Sequence, residues 1–237
     1  MRYFIALILC ITATCSCDTA KQLLNSLPQS GGLSTDDIAA GLKEALTVGT
    51  QNGTARLSAV DGFFANAAIK ILMPPEAQKV ENTLRNVGLG NVVDKAILSM
   101  NRAAEDAAKS ATPIFIDAIK QMTISDAISI LKGDDFAATN YFKQKTTVAL
   151  TNAFAPVISK SLDKVDATKY WKEVFTVYNR FSSNPVNTNL SAYVTGKAID
   201  GIFHEIAIEE QKIRKDPVAR VTDLLKKVFG SAAAARN

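Results

Sequence analysis

Residues with reactive side chains are few in this chain, which has one histidine and three cysteines among 237 residues. His204 lies in an apolar run with Ile202 and Phe203, and there is no second histidine to share a metal ion. A lone histidine in such a run is typically structural, so we expect His204 to be half-buried. The chain has no Gly-x-Ser-x-Gly elbow and no glycine-rich phosphate loop. These features exclude most familiar catalytic chemistry, and we predict no catalytic residue, no metal site and no cofactor.

Carboxylate, amide, guanidinium and tyrosine side chains are the remaining candidates for chemistry. An enzyme or polar-ligand binder without histidine or cysteine would need an Arg/Asp/Glu/Tyr cluster. The candidate ligand-binding residues are Asn101, Arg102, Glu105, Asp117, Thr139 and Tyr141. Their convergence in one cleft would support this hypothesis, and burial of each against backbone groups would argue against it. Arg102 and Glu105 are three residues apart, and the default for that spacing on a helix is a local ion pair.

Two further acidic groups have ordinary structural interpretations. Asp134 and Asp135 precede a long helical pattern, where aspartate is favoured at a helix N-terminus. A strip of acids continues into basic residues near the C-terminus, and we expect it to be a solvated helix face. Its acids are Asp200, Glu205, Glu209 and Glu210. A buried pairing of Arg102 with one of these acids is the alternative.

The N-terminus has the pattern of an export signal. Met1-Arg2 is followed by an apolar run over residues 3–13, which is shorter than the roughly 20 residues that span a bilayer. Small residues then lead to Cys17, in the manner of a loose lipobox. We predict a signal peptide at 1–16, a lipidated Cys17 with a tether to residue 33, a domain at 34–230 and a disordered tail at 231–237. Two alternatives are acylation of Cys15 and an ordinary cleaved signal peptide.

The export signal determines the expected location and partners. We predict a protein of the periplasm, anchored to the membrane by the lipid on Cys17, with an envelope protein or an apolar ligand as its further partner. The mature chain would keep no free thiol, because Cys10 and Cys15 leave with the signal. The net charge of +4 comes without a dense basic run, so no nucleic acid is expected.

Helices must position whatever site exists. Apolar residues recur at helical spacing through most of the chain, and glycine and proline are sparse, with 12 and 7 residues. We predict an all-α fold: one multi-helix domain of about eight to ten helices, with one short extended segment near residues 67–72. A helix is predicted from about residue 38 towards residue 60, and Gly49 and Gly53 weaken it. We expect either close packing of this helix against a neighbour or fraying of its second half.

Several blocks of the sequence resemble a bacterial family, a domain of unknown function in exported proteins and lipoproteins of Gram-negative bacteria. The resemblance covers about residues 33–230 and implies an α-helical periplasmic domain without known catalytic residues. The blocks that carry it are residues 38–50, 61–64, 69–71, 98–105, 115–123, 138–142, 193–201 and 224–230.

Two functions therefore remain. The one we favour is an uncharacterised, membrane-anchored periplasmic lipoprotein with a non-enzymatic binding or scaffolding role in the cell envelope. The alternative is an enzyme or polar-ligand binder that uses the six polar residues named above.

Overall fold

The structure is a computed structural model that describes residues 33–183 and 185–230. The predicted signal peptide, the lipidation at Cys17, the tether up to residue 32 and the predicted tail at 231–237 lie outside the described residues. Nine α-helices form the described part of the chain. They are α1 Thr35–Ser58, α2 Gln78–Asn86, α3 Gly90–Ala108, α4 Ala111–Gln121, α5 Ile124–Lys132, α6 Ala137–Asp163, α7 Ala167–Asn179, α8 Leu190–Lys215 and α9 Asp223–Phe229.

The all-α prediction is confirmed, with a helix number inside the predicted range. The described residues contain no strand. Besides the α-helices there are two short 3₁₀ turns, Pro75–Ala77 and Pro217–Ala219. The second turn separates α8 from α9, and the last helix begins at Asp223.

Two of the helices begin with a capping box, a pattern of residues three positions apart that is visible in the sequence. Ser34 and Thr123 are N-caps whose hydroxyls accept the backbone N–H of Asp37 and Asp126, while the two carboxylates bind back to the caps. The backbone and side-chain hydrogen bonds from Thr123 hold the pKa of Asp126 below its ordinary value. The carboxylate that starts α5 therefore stays ionised.

Helices α3, α6 and α8 form the centre of the domain, and α1 packs against α8. Aromatic side chains fill the space between these helices. Phe115, Phe142 and Phe203 are buried and meet edge to face, with ring centroids 5.2 Å apart for Phe115 and Phe142 and 6.2 Å for Phe115 and Phe203. Helix α7 lies at the edge of the domain and packs mainly against α6 and α8.

The segment predicted to be extended, near residues 67–72, has no strand partner. Residues 67–69 form a turn, and residues 70–74 have no regular secondary structure. Ile71 and Met73 are nevertheless buried while Leu72 between them is exposed, as in an extended chain whose successive side chains point to opposite sides. This stretch is therefore a partly buried irregular segment instead of a strand.

Glycines allow α1 to approach α8 closely. A Cβ atom at Gly49 would lie 3.4 Å from the Cβ of Glu209, and one at Gly53 would lie 3.8 Å from the Cβ of Glu205. Helix α1 continues beyond both glycines to Ser58. Of the two outcomes expected for this helix, close packing is the one that the structure shows.

No helix in the described ranges is both long and apolar enough to cross a membrane.

Gly201 provides a test of the packing around the buried Phe63. A Cβ atom at Gly201 would lie 2.5 Å from the Cε1 of Phe63, whose side chain is fully buried. Gly201→Ala should therefore lower the free energy of unfolding by about 1–3 kcal/mol, because the ring has no free space to enter. Gly196 lies in the same helix with nothing near its Cβ position, so Gly196→Ala should stabilise the protein by up to about 1 kcal/mol. Urea denaturation measures both, and equal midpoints for the two variants would contradict this packing.

Candidate functional site

Two polar side chains on the inner face of α3 hold the irregular segment between α1 and α2. The amide of Asn101 accepts the N–H of Ile71 at 2.9 Å and donates to the carbonyl of Ile71 at 2.8 Å. One oxygen of Glu105 accepts the N–H groups of Phe63 and Phe64 at 3.1 and 3.2 Å. Because both side chains are buried, these bonds replace the partners that a strand or helix would supply.

Arg102 links Glu105 to Asp61, which lies in the turn where the irregular segment begins. Its guanidinium donates to the second oxygen of Glu105 at 2.6 Å and to Asp61 at 2.6 Å. Asp61 has a φ of 67°, in the left-handed region that disfavours most side chains. The local ion pair expected for Arg102 and Glu105 is therefore present, and it extends to a strained turn residue.

A second ion-pair group lies between α1 and α8. Arg56 donates to Glu205 at 3.0 Å and to Glu209 at 2.7 Å, and Glu205 also accepts from the side chain of Asn66 at 3.2 Å. Burial disfavours the charged form of Glu209, but hydrogen bonds from Lys212 and Arg56 outweigh it and hold its pKa below the ordinary value. The irregular segment is thus fastened from α8 as well as from α3.

The third group is a buried ion pair of Glu210 and Arg214, whose side chains are 4% and 6% exposed. Glu210 accepts the first N–H groups of α6, from Ala138 and Thr139, at 2.9 Å each, and the hydroxyl of Thr139 at 2.8 Å. Arg214 donates to the carbonyls of Ile130 and Leu131 at the end of α5, at 2.7 and 3.2 Å. One ion pair from α8 therefore caps the end of one helix and the start of the next, with each charge matched to the helix dipole.

These contacts correct two expectations. The strip on α8 is not a solvated face, because Glu205, Glu209 and Glu210 are buried and only Asp200 is exposed. The buried acids of the strip pair with Arg56 and Arg214. Arg102, the alternative partner, binds Asp61 and Glu105 instead. At the start of α6, Asp134 accepts the N–H of Phe136 at 2.8 Å, and Glu210 accepts the N–H groups of Ala138 and Thr139. Gly49 and Gly53, which face Glu209 and Glu205, are the feature of the sequence that could have indicated the burial of these acids.

The six residues predicted to bind a ligand do not meet in one cleft. Asn101, Arg102 and Glu105 bind the segment between α1 and α2, and Thr139 binds Glu210. Only Asp117 and Tyr141 share a surface cleft. The residues predicted to form one cluster therefore lie in three places, and four of them make hydrogen bonds within the chain's own fold.

The cleft around Tyr141 has a volume of about 350 Å³ and lies between α4 and α6 beside the start of α5. The hydroxyl of Tyr141 is 3.5 Å from the carbonyl of Ala118, at the limit of a hydrogen bond. Burial, together with the nearby carboxylate of Asp126, raises the pKa of Tyr141, so the phenol stays protonated near neutral pH. The other polar residues that line the cleft are Asp117, Gln121, Thr123, Lys145 and Thr146.

His204 lies in a different cleft, of about 480 Å³, between α6 and α8. The expectation of a half-buried histidine is wrong, because His204 is exposed on the cleft wall with Asp200, Asn140 and Lys143. Within the described residues, no group of three His, Cys, Asp or Glu side chains is arranged to hold a metal ion.

The fold and its internal polar contacts define a single-domain, all-α protein whose buried charges tie helices together. The chain belongs to the family described as "Protein of unknown function (DUF4197)", whose family model matches residues 32–230. This confirms the predicted resemblance to a domain of unknown function over nearly the same residues. No curated protein and no solved structure matches the chain.

Burial of the Glu210–Arg214 pair predicts a large effect of its loss. Glu210→Gln should lower the free energy of unfolding by about 3–5 kcal/mol, because it leaves Arg214 and the start of α6 without a charged partner. The matched control is Glu81→Gln, which breaks a more exposed Glu–Arg pair at the same spacing on α2, between Glu81 and Arg85. The control should cost at most about 1 kcal/mol. Guanidinium denaturation compares the two, and similar losses in both would contradict the role of the buried pair.

Proposed function

We propose that the protein is a membrane-anchored lipoprotein of the periplasm with a non-enzymatic binding or scaffolding role in the cell envelope. The non-enzymatic role is supported by the hydrogen bonds that the buried polar side chains make. Asn101, Glu105 and Glu210 bind backbone groups of their own chain. Side chains committed in this way contribute stability and are not available to bind or activate a substrate.

The tether to a membrane is supported by the sequence alone. The apolar run at 3–13 and the small residues before Cys17 have the order of a signal peptide with a lipobox. Acyl chains on one cysteine would give stable attachment, since each buried CH₂ adds about 0.8 kcal/mol. The folded domain at 33–230 would then be presented to partners on the periplasmic side of that membrane.

The anchor is tested by cysteine substitution in cells. Cys17→Ser should move the protein from the membrane fraction to the soluble fraction, because it removes the acylated sulfur. Cys15→Ser is the matched control and should leave the protein in the membrane fraction. Intact mass of the wild-type protein should show acyl chains on Cys17, and an unmodified mass for protein extracted from membranes would contradict the anchor.

The binding role is tested on the same membrane-extracted protein. Crosslinking in intact cells followed by affinity purification should return one envelope protein reproducibly, or mass spectrometry of the purified protein should show a bound apolar ligand. Recovery of neither would overturn the binding role and leave the anchor unaffected.

A second candidate function is binding of a small polar molecule in the Tyr141 cleft. It is favoured by the hydroxyl of Tyr141, whose contact among the described residues is the long one of 3.5 Å to Ala118, and by charges of both signs around it. Asp117 and Asp126 could bind an ammonium group, and Lys145 a carboxylate. A molecule that carries both groups, such as a free amino acid, would match this lining.

Saturation-transfer NMR with a set of free amino acids tests this second candidate. Tyr141→Phe should weaken binding about 5-fold, because one hydrogen bond to the ligand is lost. Tyr170→Phe removes an exposed hydroxyl outside the cleft and should change nothing. Absence of binding by the wild-type protein, or equal binding by Tyr141→Phe, would contradict the hypothesis.

A further inference from the structure

Helix α7 carries an apolar stripe on its outer surface. Tyr170, Val174 and Val177 are 57%, 48% and 57% exposed, and Phe181, just beyond the helix, is 88% exposed. Their spacing of four, three and four residues aligns them on one side of the helix, over about 16 Å. We define these four residues as the α7 stripe.

The opposite side of α7 fixes the helix to the domain, so the stripe is held facing outward. Trp171 and Phe175 are buried against the core, and the indole N–H of Trp171 donates to the carbonyl of Asn187 at 2.9 Å. The amide of Asn179 accepts the N–H of Val186 at 2.8 Å and donates to its carbonyl at 2.7 Å. The helix therefore has two apolar sides, and the described part of the chain packs against one of them.

Cations border the stripe on both sides. Lys169 and Arg180 lie on one flank, together with the single acid of the helix, Glu173. On the other flank Lys79 of α2 lines a cleft of about 340 Å³ with Val177 and Phe181. An apolar strip with aromatic residues at its ends and lysine or arginine beside it is the pattern of a helix that lies in a membrane interface.

We propose that the α7 stripe docks onto the surface of an anionic lipid membrane, with its apolar side chains in the headgroup region and the flanking cations on lipid phosphates. A lipid surface fits better than a protein partner, because a protein interface of ordinary size involves 20–30 residues on each side. The stripe is one side chain wide on a convex helix.

This inference rests on the proposed location at a membrane and adds a second contact to the lipid anchor. The tether at 18–32 can extend at most about 50 Å, which keeps the domain near the surface where the anchor is inserted. Docking through α7 would then set the orientation in which the rest of the domain faces its partners.

The test uses the mature chain 17–237 with Cys17→Ser, so that no acyl chain contributes to binding. This chain keeps every described residue. It should co-sediment with vesicles of phosphatidylglycerol and phosphatidylethanolamine in a 1:3 ratio, and at least 10-fold less with phosphatidylcholine vesicles. Binding to the anionic vesicles should decrease as salt is raised, because salt screens the cations from the lipid phosphates.

Variants then assign the binding to α7. Val174→Gln with Val177→Gln should reduce vesicle binding at least 10-fold, and Lys169→Gln with Arg180→Gln should reduce both the binding and its salt dependence, with Lys79 as the remaining flanking cation. The matched control, Val148→Gln with Val218→Gln, changes two exposed valines elsewhere and should bind like the parent chain. Circular dichroism confirms that each variant is folded.

Three results would overturn the proposal. They are absence of vesicle binding by the parent chain, equal binding by the stripe variant, and a dimer of the parent chain that becomes a monomer in the stripe variant. The last would show that a second copy covers the stripe. The acyl mass at Cys17 is measured separately on the wild-type protein, so failure of docking and failure of the anchor are distinguishable.

Discussion

The ion pair of Glu210 and Arg214 connects three helices at the point where the chain turns between α5 and α6. A buried ion pair usually gains little, because removing two charges from water is costly. Here the cost is offset by hydrogen bonds to helix ends, whose N–H and C=O groups would otherwise be buried without partners. Because α8 supplies both charges, its packing in the core depends on α5 and α6 ending and starting at those residues.

Buried polar side chains also bind the backbone of the segment between α1 and α2. That segment has no regular structure for much of its length, yet it passes through the interior with Phe63 and Ile71 buried. Asn101 and Glu105 bind its backbone from α3, and Glu205 holds Asn66 from α8. The polar groups of the interior thus replace missing secondary structure along this segment.

The sequence was sufficient for the fold class and for helix starts with local signals. Ser34 and Thr123 cap their helices through residues three positions away, so the information is contained in a few neighbouring residues. The burial of Glu205, Glu209 and Glu210 was not predicted, because it depends on residues that are not neighbours in the sequence. Lys212 and Arg214 are partners close in the chain, but Arg56, Ala138 and Thr139 lie far away and are brought near only by packing. The six-residue cluster failed to converge because hydrogen bonds to the chain's own backbone and to Glu210 compete for the same side chains.

By itself the sequence determined the helix content and the order of the helices, because these depend on composition, short-range spacing and capping. Only the tertiary structure decided which charges are buried and which apolar residues are left without a partner. Glu210 and Asp200 are both acids on α8, yet one accepts N–H groups at the start of α6 and the other is exposed. Tyr170 and Trp171 are neighbours in α7, and the packing of one helix side turns Trp171 into the core and leaves Tyr170 in the stripe. The difference is physical: burial is a property of the surfaces that meet, and a single chain segment specifies only one of the two.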